Sequence, residues 1–340
     1  MDENIIRSLL ATLEEYHRLG IAEQIDYQKF YLYSIITHST AIEGSTVTEI
    51  ENQLLFDEGI AAKGRTMVEQ LMNLDLKAAY EEAIRMAAKH VPFSTEMLQG
   101  LSALVMKNTG SKYSTLSGTF DSSKGELRKV NVTAGTGGRS YLNFLKVPSR
   151  LADFSQNMNE RQKQLENDND VIARYALSFD AHNLLVAIHP WVDGNGRMSR
   201  LVMNYVQMEY GLVPTKVLKD DRAEYIQALV DSRDQDSLEP FRDFMFRTHL
   251  RNLQQEIAAY KQSIEDDVTI PEVEPLHVVK DVVKEILAIL KAQPESTAAS
   301  IAERVHLSSR QVQRILARLQ KDGSIMRHGG RKEGYWEVKH

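Results

Sequence analysis

The sequence predicts a mainly α-helical protein with two domains. Apolar residues recur at helical spacing over most of the 340 residues, and strand-like alternation is confined to short stretches. An acidic, proline-containing stretch separates a basic C-terminal segment from the rest. A chain of this length can bury two cores, so we expect a large helical domain followed by a small one.

Charge is distributed unevenly along the chain. The formal net charge is −6, but residues 275–340 hold twelve Lys or Arg against seven Asp or Glu, which is +5 and leaves −11 for the remainder. The absence of cysteine excludes disulfides, thiolate metal sites and a cysteine nucleophile. Residues 1–4 lack the order of a signal peptide, and we find no apolar run near the ~18 residues of a membrane span. We therefore expect a cytoplasmic protein without membrane contact.

Helical periodicity predicts the elements in order. The predicted helices cover residues 5–19, 27–43, 49–59, 67–90, 94–108, 171–188, 197–210, a segment starting at 221, and 238–266. Thr48 followed by Glu51 predicts a capping box for the third helix. The exception is residues 129–144, where two short alternating runs around Gly135 to Gly138 predict a β-hairpin.

The stretch 189–200, HPWVDGNGRMSR, is the most informative part of the sequence. It joins two predicted helices, and Pro190 ends the first because proline cannot continue a helix. A glycine-containing loop that enters a helix directs free backbone N–H groups outward at the positive end of the dipole, which suits a phosphate. Arg197 and Arg200, one turn apart, can face the same anion. Asp193 supplies the hard oxygen that Mg²⁺ prefers beside a nucleotide's phosphates.

These twelve residues resemble the signature of Fic-domain proteins, HxFx(D/E)GN(G/K)RxxR, except that Trp191 stands where the family usually has Phe. The resemblance implies a Fic-type helical core with a β-hairpin flap and the transfer of AMP from ATP to a hydroxyl of a target protein. It implies that His189 is the catalytic base and that Asp193 holds Mg²⁺. The implied phosphate-binding residues are Gly194, Asn195, Gly196, Arg197 and Arg200. The alternative interpretation is a simple turn between helices with ordinary surface arginines.

Residues 39–44, STAIEG, resemble the (S/T)xxxE(G/N) inhibitory motif of many Fic proteins. This resemblance implies that Ser39 and Glu43 belong to an inhibitory helix and that Glu43 neutralises Arg200 where the γ-phosphate would bind. In some relatives the same glutamate activates water to remove AMP, so a de-AMPylase remains an alternative. Relatives that transfer phosphate usually carry Lys at the position of Gly196. Without the resemblance, the motif is a helix that ends at Gly44.

The hairpin predicted at 129–144 matches the position of the family's flap. Val130, Asn131, Val132 and Thr133 would then dock an extended segment of a target protein through main-chain hydrogen bonds. Tyr225 has two open interpretations, since it could line an adenine pocket or be a core tyrosine. We interpret His182 as a structural histidine.

The C-terminal segment resembles a winged helix-turn-helix domain, with predicted helices at 278–291, 297–305 and 309–322 and short strands at 324–328 and 334–338. Burial of Val312, Ile315, Leu316 and Leu319 would leave Arg310, Gln313 and Arg314 outward, where they suit DNA phosphates and base edges. Protein contact is the alternative. The predicted order is thus a helical region at 1–93, a catalytic core at 94–266, a linker at 267–275 and the winged helix at 276–340. A nucleotide-sensing transcriptional regulator is the non-enzymatic hypothesis.

Overall fold

The computed structural model describes residues 2–134, 138–268, 277–305, 312, 315–316, 319–320, 324–328 and 334–339. The chain divides into two compact units, Met1–Tyr260 and Lys261–His340. Each unit has its own buried apolar cluster. The helices on both sides of the predicted boundary at residue 93 contribute to the same cluster.

The N-terminal helices follow the predicted pattern closely. Their bounds are α1 Glu3–Arg18, α2 Tyr27–Ile42, α3 Glu49–Glu58, α4 Met67–Ala87 and α5 Thr95–Val105. Thr48 forms the predicted capping box with Glu51, and Gly59 ends α3 in the left-handed conformation. Helix α4 ends three residues earlier than predicted, and His90 follows it with a φ of 50°.

The only strands described in the first unit form a hairpin that the sequence pattern did not indicate. Strand β1 (Lys112–Thr115) pairs antiparallel with β2 (Gly118–Asp121), and the Tyr113 and Phe120 rings stack across the pair. The pattern was missed because each strand is only four residues long.

The hairpin predicted at residues 129–144 is only partly formed. We call residues 130–134 and 138–142 the flap. Its two arms meet at a single bridge, Thr133 with Ser140, and the Tyr141 N–H donates to the Val132 carbonyl at 3.0 Å. The hairpin has no longer ladder because the Arg128 side chain donates to the carbonyls of Val130 and Leu142, which a longer ladder would use. The predicted turn at 135–137 lies outside the described residues.

Five further helices follow, of which the last continues past the unit boundary at Tyr260. They are α6 Val147–Gln164, α7 Val171–Ile188, α8 Asn195–Glu209, α9 Arg222–Asp234 and α10 Glu239–Val268. Helix α6 has no counterpart in the sequence prediction. Helix α7 is long and apolar enough to span a membrane by length and composition, but half of it is buried inside the protein. It packs between α6 and α8, and its buried Asp180 is paired with Arg161 and Arg242, as in the core helix of a globular domain.

The second unit contains α11 (His277–Ala292), α12 (Ala298–Arg304) and the antiparallel strands β3 (Ile325–His328) and β4 (Tyr335–Val338). Val312, Leu316 and Leu319 lie in its buried cluster as predicted, and Ile315 packs against that cluster. Other predictions fall outside the described residues, namely the outward residues Arg310, Gln313 and Arg314 and the linker beyond Val268. Helix α10 includes the first two residues of the predicted linker.

Candidate active site at the junction of helices α7 and α8

The loop between α7 and α8 is fixed by its own side chains. His189 caps α7 in the left-handed conformation, with φ 51° and ψ 63°, and its N–H donates to the Leu185 carbonyl at 3.0 Å. The Asn195 amide accepts from the Trp191 N–H at 3.1 Å and donates to the Trp191 carbonyl at 2.9 Å. The predicted role of Asn195 in phosphate binding therefore falls to its backbone N–H, because its side chain is occupied by the loop.

Trp191, the departure from the family signature, anchors this loop. Its ring is fully buried, and its indole N–H donates to the Gly125 carbonyl at 3.0 Å. A phenylalanine could not make this hydrogen bond. Gly125 is required there because its φ is +70° and a Cβ would lie 2.0 Å from the Gln99 carbonyl oxygen. The loop is thus tied to the segment that leads into the flap.

His189 lies directly beneath the flap. The ring of Tyr141 stacks on it, with centroids 3.7 Å apart and planes within 16°. Burial lowers the pKa of His189 to about 4, while the Val186 carbonyl acts in the opposite direction. The ring is therefore neutral at pH 7, as a general base must be. Its Nδ1 atom makes no hydrogen bond to any described residue.

Arg197 is buried with incomplete compensation. Its guanidinium donates to the Val105 carbonyl at 3.4 Å and to the Met106 sulfur at 3.3 Å, both weak contacts. The Asp193 carboxylate is 3.7 Å away, and Nε of Arg197 has no partner among the described residues. Burial lowers the pKa of Arg197. A desolvated cation with this little compensation is a strong site for an anion.

Arg200, one turn further along α8, is fully paired. It donates through Nη2 to the Glu43 carboxylate at 2.6 Å and through Nε to the Ser39 hydroxyl at 2.8 Å. Nη2 also donates to the Ser39 carbonyl at 2.9 Å, and Nη1 donates to the Tyr225 hydroxyl at 3.2 Å. The structure thus brings together the two predicted inhibitory residues and Arg200.

Gly196 explains how closely Glu43 approaches α8. A Cβ at this position would lie 2.3 Å from Oε1 of Glu43 and 3.1 Å from Nη1 of Arg200. Any side chain would displace one of these groups. Gly194 is equally constrained, since its φ is +79° and a Cβ would lie 2.7 Å from the Met106 sulfur.

Tyr225 belongs to the core and not to a ligand pocket. Its side chain is only 2% exposed, and its hydroxyl lies 2.9 Å from Nε2 of His182. Because the hydroxyl accepts from Arg200, it donates to His182, whose neutral form is stabilised by burial. The interpretation of His182 as structural fits this geometry. Of the two interpretations of Tyr225, this geometry favours the core tyrosine, whose hydroxyl accepts a hydrogen bond from Arg200.

A cavity of about 530 Å³ opens beside Tyr225. Its walls come from α7, α9 and the flap and are mainly apolar; they include Tyr141, Leu142, Leu184, Ile226 and Leu229. Ile226 and Leu229 lie one and four residues beyond Tyr225 on α9. The face of α9 that borders this cavity is therefore not the face that carries Tyr225, and one buried tyrosine in the sequence does not reveal which face of a helix borders a cavity.

Asp193 and the flap residues occupy the rim of the site. The Asp193 side chain is 64% exposed and accepts from the Gly194 N–H at 2.6 Å. Within the described ranges, no three His, Cys, Asp or Glu side chains group closely enough to hold a metal by themselves. In the flap, the Val132 carbonyl accepts from Tyr141, and the Asn131 amide oxygen accepts from the Phe144 N–H at 3.0 Å.

Two residues of this site were missed in the sequence. Tyr141 stacks on His189, and Arg128 donates to the His189 carbonyl at 2.8 Å. Tyr141 was included in the predicted hairpin without a role. Nothing local distinguishes Arg128 from a surface arginine.

The N-terminal turn of α8 thus carries two buried arginines, and the loop before it carries a histidine that is neutral at pH 7. Residues 92–207 match the model of the Fic/DOC family, and residues 281–326 match a winged helix-turn-helix DNA-binding model. Residues 92–207 are therefore similar to Fic domains, and residues 281–326 are similar to a winged helix-turn-helix domain.

Curated relatives and solved structures agree with this assignment. Protein adenylyltransferase fic-1 of Caenorhabditis briggsae is 25% identical over 69% of this chain and 43% of its own length. Protein adenylyltransferase Fic of Drosophila grimshawi is 28% identical over 62% of this chain and 40% of its own. The chain thus spans less than half the length of these relatives.

Two bacterial structures share the fold. A Fic domain containing signaling protein from Bacteroides thetaiotaomicron has a TM-score of 0.62 at 20% identity and covers 76% of this chain and 97% of its own. A Fic family protein from Desulfovibrio desulfuricans has a TM-score of 0.59 at 20% identity, with 100% and 97% covered. These similarities extend beyond residues 92–207 and show the fold.

Proposed function

We propose that this protein is a protein adenylyltransferase that transfers AMP from ATP to a hydroxyl side chain of another protein. The observation that carries the proposal is the presence of two groups at the junction of α7 and α8. One is the neutral His189, and the other is Arg197, a buried cation with few hydrogen-bond partners. The names of the curated relatives support the same reaction class. Their greater length leaves the target protein open.

The nucleotide would lie across the α8 N-terminus. Its phosphates would meet the free N–H groups of the first helical turn and the guanidinium of Arg197. The apolar cavity between Leu184, Ile226 and Leu229 has the size and lining for a purine base. This arrangement leaves His189 at the side of the phosphates that faces the flap.

His189 would then act as the general base. A target segment paired with an arm of the flap brings a hydroxyl to the imidazole, which accepts its proton as the oxygen attacks the α-phosphorus. The new bond joins the hydroxyl oxygen to the AMP phosphorus, and the bond to the leaving pyrophosphate breaks. Arg197 and the helix N–H groups stabilise the charge on the phosphate oxygens during the transfer.

Mg²⁺ is the cofactor that fits this site. Asp193 offers one exposed carboxylate, which is too few ligands for a metal held by protein alone but suits an ion shared with phosphates. When bound, Mg²⁺ would neutralise phosphate charge. Asp193 would hold it beside Arg197.

Glu43 would keep the enzyme inactive at rest. Its carboxylate is bound to Arg200 and lies against Gly196, so it occupies the space above the second residue of α8. The outermost phosphate of ATP needs that space and the positive charge of Arg200. Glu43 therefore permits nucleotide binding only in a pose unsuited to attack on the α-phosphorus.

Incubation with α-phosphate-labelled ATP tests the reaction and the inhibition together. Wild type should label protein weakly, Glu43→Gly strongly and the double variant with His189→Ala not at all, since a positioned base contributes ~10²- to 10⁴-fold. Label from γ-phosphate instead of α-phosphate, or equal labelling with and without His189, would refute the adenylyltransferase assignment. Equal labelling by wild type and Glu43→Gly would refute only the inhibition.

We further propose that the C-terminal unit binds DNA. The match of residues 281–326 to a DNA-binding model and the net charge of +5 over residues 275–340 support this second function. Binding of the full chain to random duplex DNA should weaken steeply with salt. Replacement of Arg310 and Arg314 by Gln should remove that binding while labelling by ATP is unchanged; DNA binding that survives the replacement would contradict the assignment of these residues.

A further inference from the structure

Arg128 is a buried cation without an acidic partner among the described residues. Its side chain is 2% exposed and donates through Nε to the His189 carbonyl and through Nη1 to the Val130 carbonyl, both at 2.8 Å. Nη2 donates to the Leu142 carbonyl, and the backbone N–H of Arg128 donates to the Pro190 carbonyl at 3.1 Å. Burial of a charge against carbonyl dipoles alone is costly, so the arrangement is informative.

The four acceptors belong to the two parts of the site that must act together. Val130 and Leu142 stand at the base of the two arms of the flap, while His189 and Pro190 form the start of the loop between α7 and α8. One side chain therefore joins both arms of the flap to the residue that serves as base. Tyr141, the neighbour of Leu142, is held in the position where its ring covers His189.

The ring of His189 has little hydrogen bonding to orient it. A histidine base is usually held by a partner on the nitrogen that does not react, but Nδ1 of His189 makes no hydrogen bond of good geometry to a described residue, and the Val186 carbonyl is the backbone acceptor that acts on the ring. The left-handed backbone of His189 and the stacked ring of Tyr141 are further groups that fix the imidazole. Arg128 acts on both, through the His189 carbonyl and through the base of the flap.

We propose that Arg128 is a positioning residue that locks the flap and His189 into one unit, so that a hydroxyl docked on the flap meets an imidazole already oriented by Tyr141. This inference rests on the proposed adenylyltransferase function and adds a mechanism that aligns the target hydroxyl with the imidazole of His189. In this mechanism Arg128 touches no reacting atom.

Loss of the lock should change the titration of His189. The charged and titratable groups that face His189 are Arg128, Asp193, Glu43 and Tyr141. Burial is the main cause that lowers its pKa, and Tyr141 supplies part of that burial. Release of the flap exposes the His189 ring to water, and replacement of Arg128 also removes its positive charge. Each change raises the pKa of His189 toward its ordinary value.

The test compares Arg128→Met, Tyr141→Leu and Arg161→Met, each combined with Glu43→Gly. The pKa of His189 is measured by NMR titration without ATP, and its resonance is assigned by its loss in His189→Ala. The rate of AMP transfer is measured separately from pH 5 to 8. We expect Arg128→Met and Tyr141→Leu to raise the pKa of His189 by at least one unit. We also expect the rate at saturating target to fall by about 10²-fold, as a displaced reacting group does, while ATP affinity changes less than threefold.

Arg161→Met is the matched control for lost stability, since Arg161 pairs with the buried Asp180 away from His189. It should leave the His189 titration unchanged. If Arg128→Met does not fold, Tyr141→Leu still decides, because that side chain is half-buried on the flap. An unchanged His189 pKa in the Tyr141 variant would overturn the proposal even with transfer intact. If Glu43→Gly transfers no AMP while the pKa shifts as expected, the lock stands and the proposed function fails.

Discussion

Arg197 and Arg200 lie one turn apart on α8, are equally buried, and have opposite surroundings. Arg200 has four good hydrogen bonds, three of them to Ser39 and Glu43 at the C-terminal end of α2, and Tyr225 and Glu43 raise its pKa despite burial. Arg197 has weak contacts and a lowered pKa. Glu43 supplies an anion to Arg200, whereas Arg197 has no comparable partner among the described residues. Under the proposed function, the nucleotide's phosphates fill that place at Arg197.

Replacement of Arg197 by Met in the Glu43→Gly background should give the largest effect. The substitution removes the charge that stabilises the transferring phosphate, so we expect AMP transfer to fall by about 10²- to 10³-fold. Steady-state kinetics with labelled ATP measures this loss. A fall of less than threefold would show that the partner missing from Arg197 is not the nucleotide.

Substitution of these two arginines should change the free energy of unfolding by different amounts. Arg200→Met leaves Ser39, Glu43 and Tyr225 without their donor, and we expect unfolding to be easier by about 2–3 kcal/mol, less than for a fully buried pair because Glu43 is 35% exposed. Arg197→Met removes a poorly compensated charge and should stay within about 1 kcal/mol of wild type. Urea unfolding of both variants compares them directly; equal losses would contradict the contrast.

Ser39→Ala tests the contacts of Arg200 without changing those of Arg197. It removes the 2.8 Å hydrogen bond from Nε of Arg200 while Glu43 remains. Hydrogen bonds to charged groups contribute ~1.5–3 kcal/mol, and Arg200 keeps its other partners, so we expect AMP transfer to rise about three- to tenfold. In the Glu43→Gly background the same change should have no effect. A rise in both backgrounds would mean that Ser39 does not act through Glu43.

As the pH falls, the free energy of unfolding should decrease before the ion pair between Glu43 and Arg200 is lost. His249 is fully buried, its ring nitrogens lack partners among the described residues, and burial lowers its pKa to about 3. Since an unfolded histidine titrates near ~6.5, its contribution to stability is complete above that pH and is lost progressively toward pH 3. His249→Phe should therefore reduce the slope of unfolding free energy against pH by up to about 1.4 kcal/mol per unit between pH 6 and 4.

Glu43 provides the contrast in that experiment. Burial raises its pKa, but Arg200, Arg197 and Arg222 outweigh this and lower the pKa below 4.5. Its pairing is therefore complete above the unfolded pKa and is lost only as the pH falls below about 4.5. The ratio of Glu43→Gly to wild-type activity should be constant from pH 8 to 6. A ratio that falls over this range would place the titration of Glu43 much higher.

Local sequence was sufficient for the helices other than α6 and for the loop at residues 189–200. Pro190, Gly194 and Asn195 set that loop through backbone preference and short-range hydrogen bonds, which a pattern can reveal. The capping box at Thr48 is of the same kind. The hairpin was predicted from alternation, but alternation does not report that Arg128 and Asn131 take hydrogen-bonding groups of this segment and limit its ladder to one bridge.

The sequence by itself determined the fold class and the loop that joins α7 to α8, and it predicted an anion site at the N-terminus of α8 with His189 as the base. These depend on contacts within one turn or loop. Only the tertiary structure decided that Arg200 is occupied while Arg197 is not, because Glu43 reaches Arg200 across 157 residues of chain. It also decided that Tyr225 is core and that Arg128 ties the flap to His189, since burial and long-range partners are properties of the assembled fold.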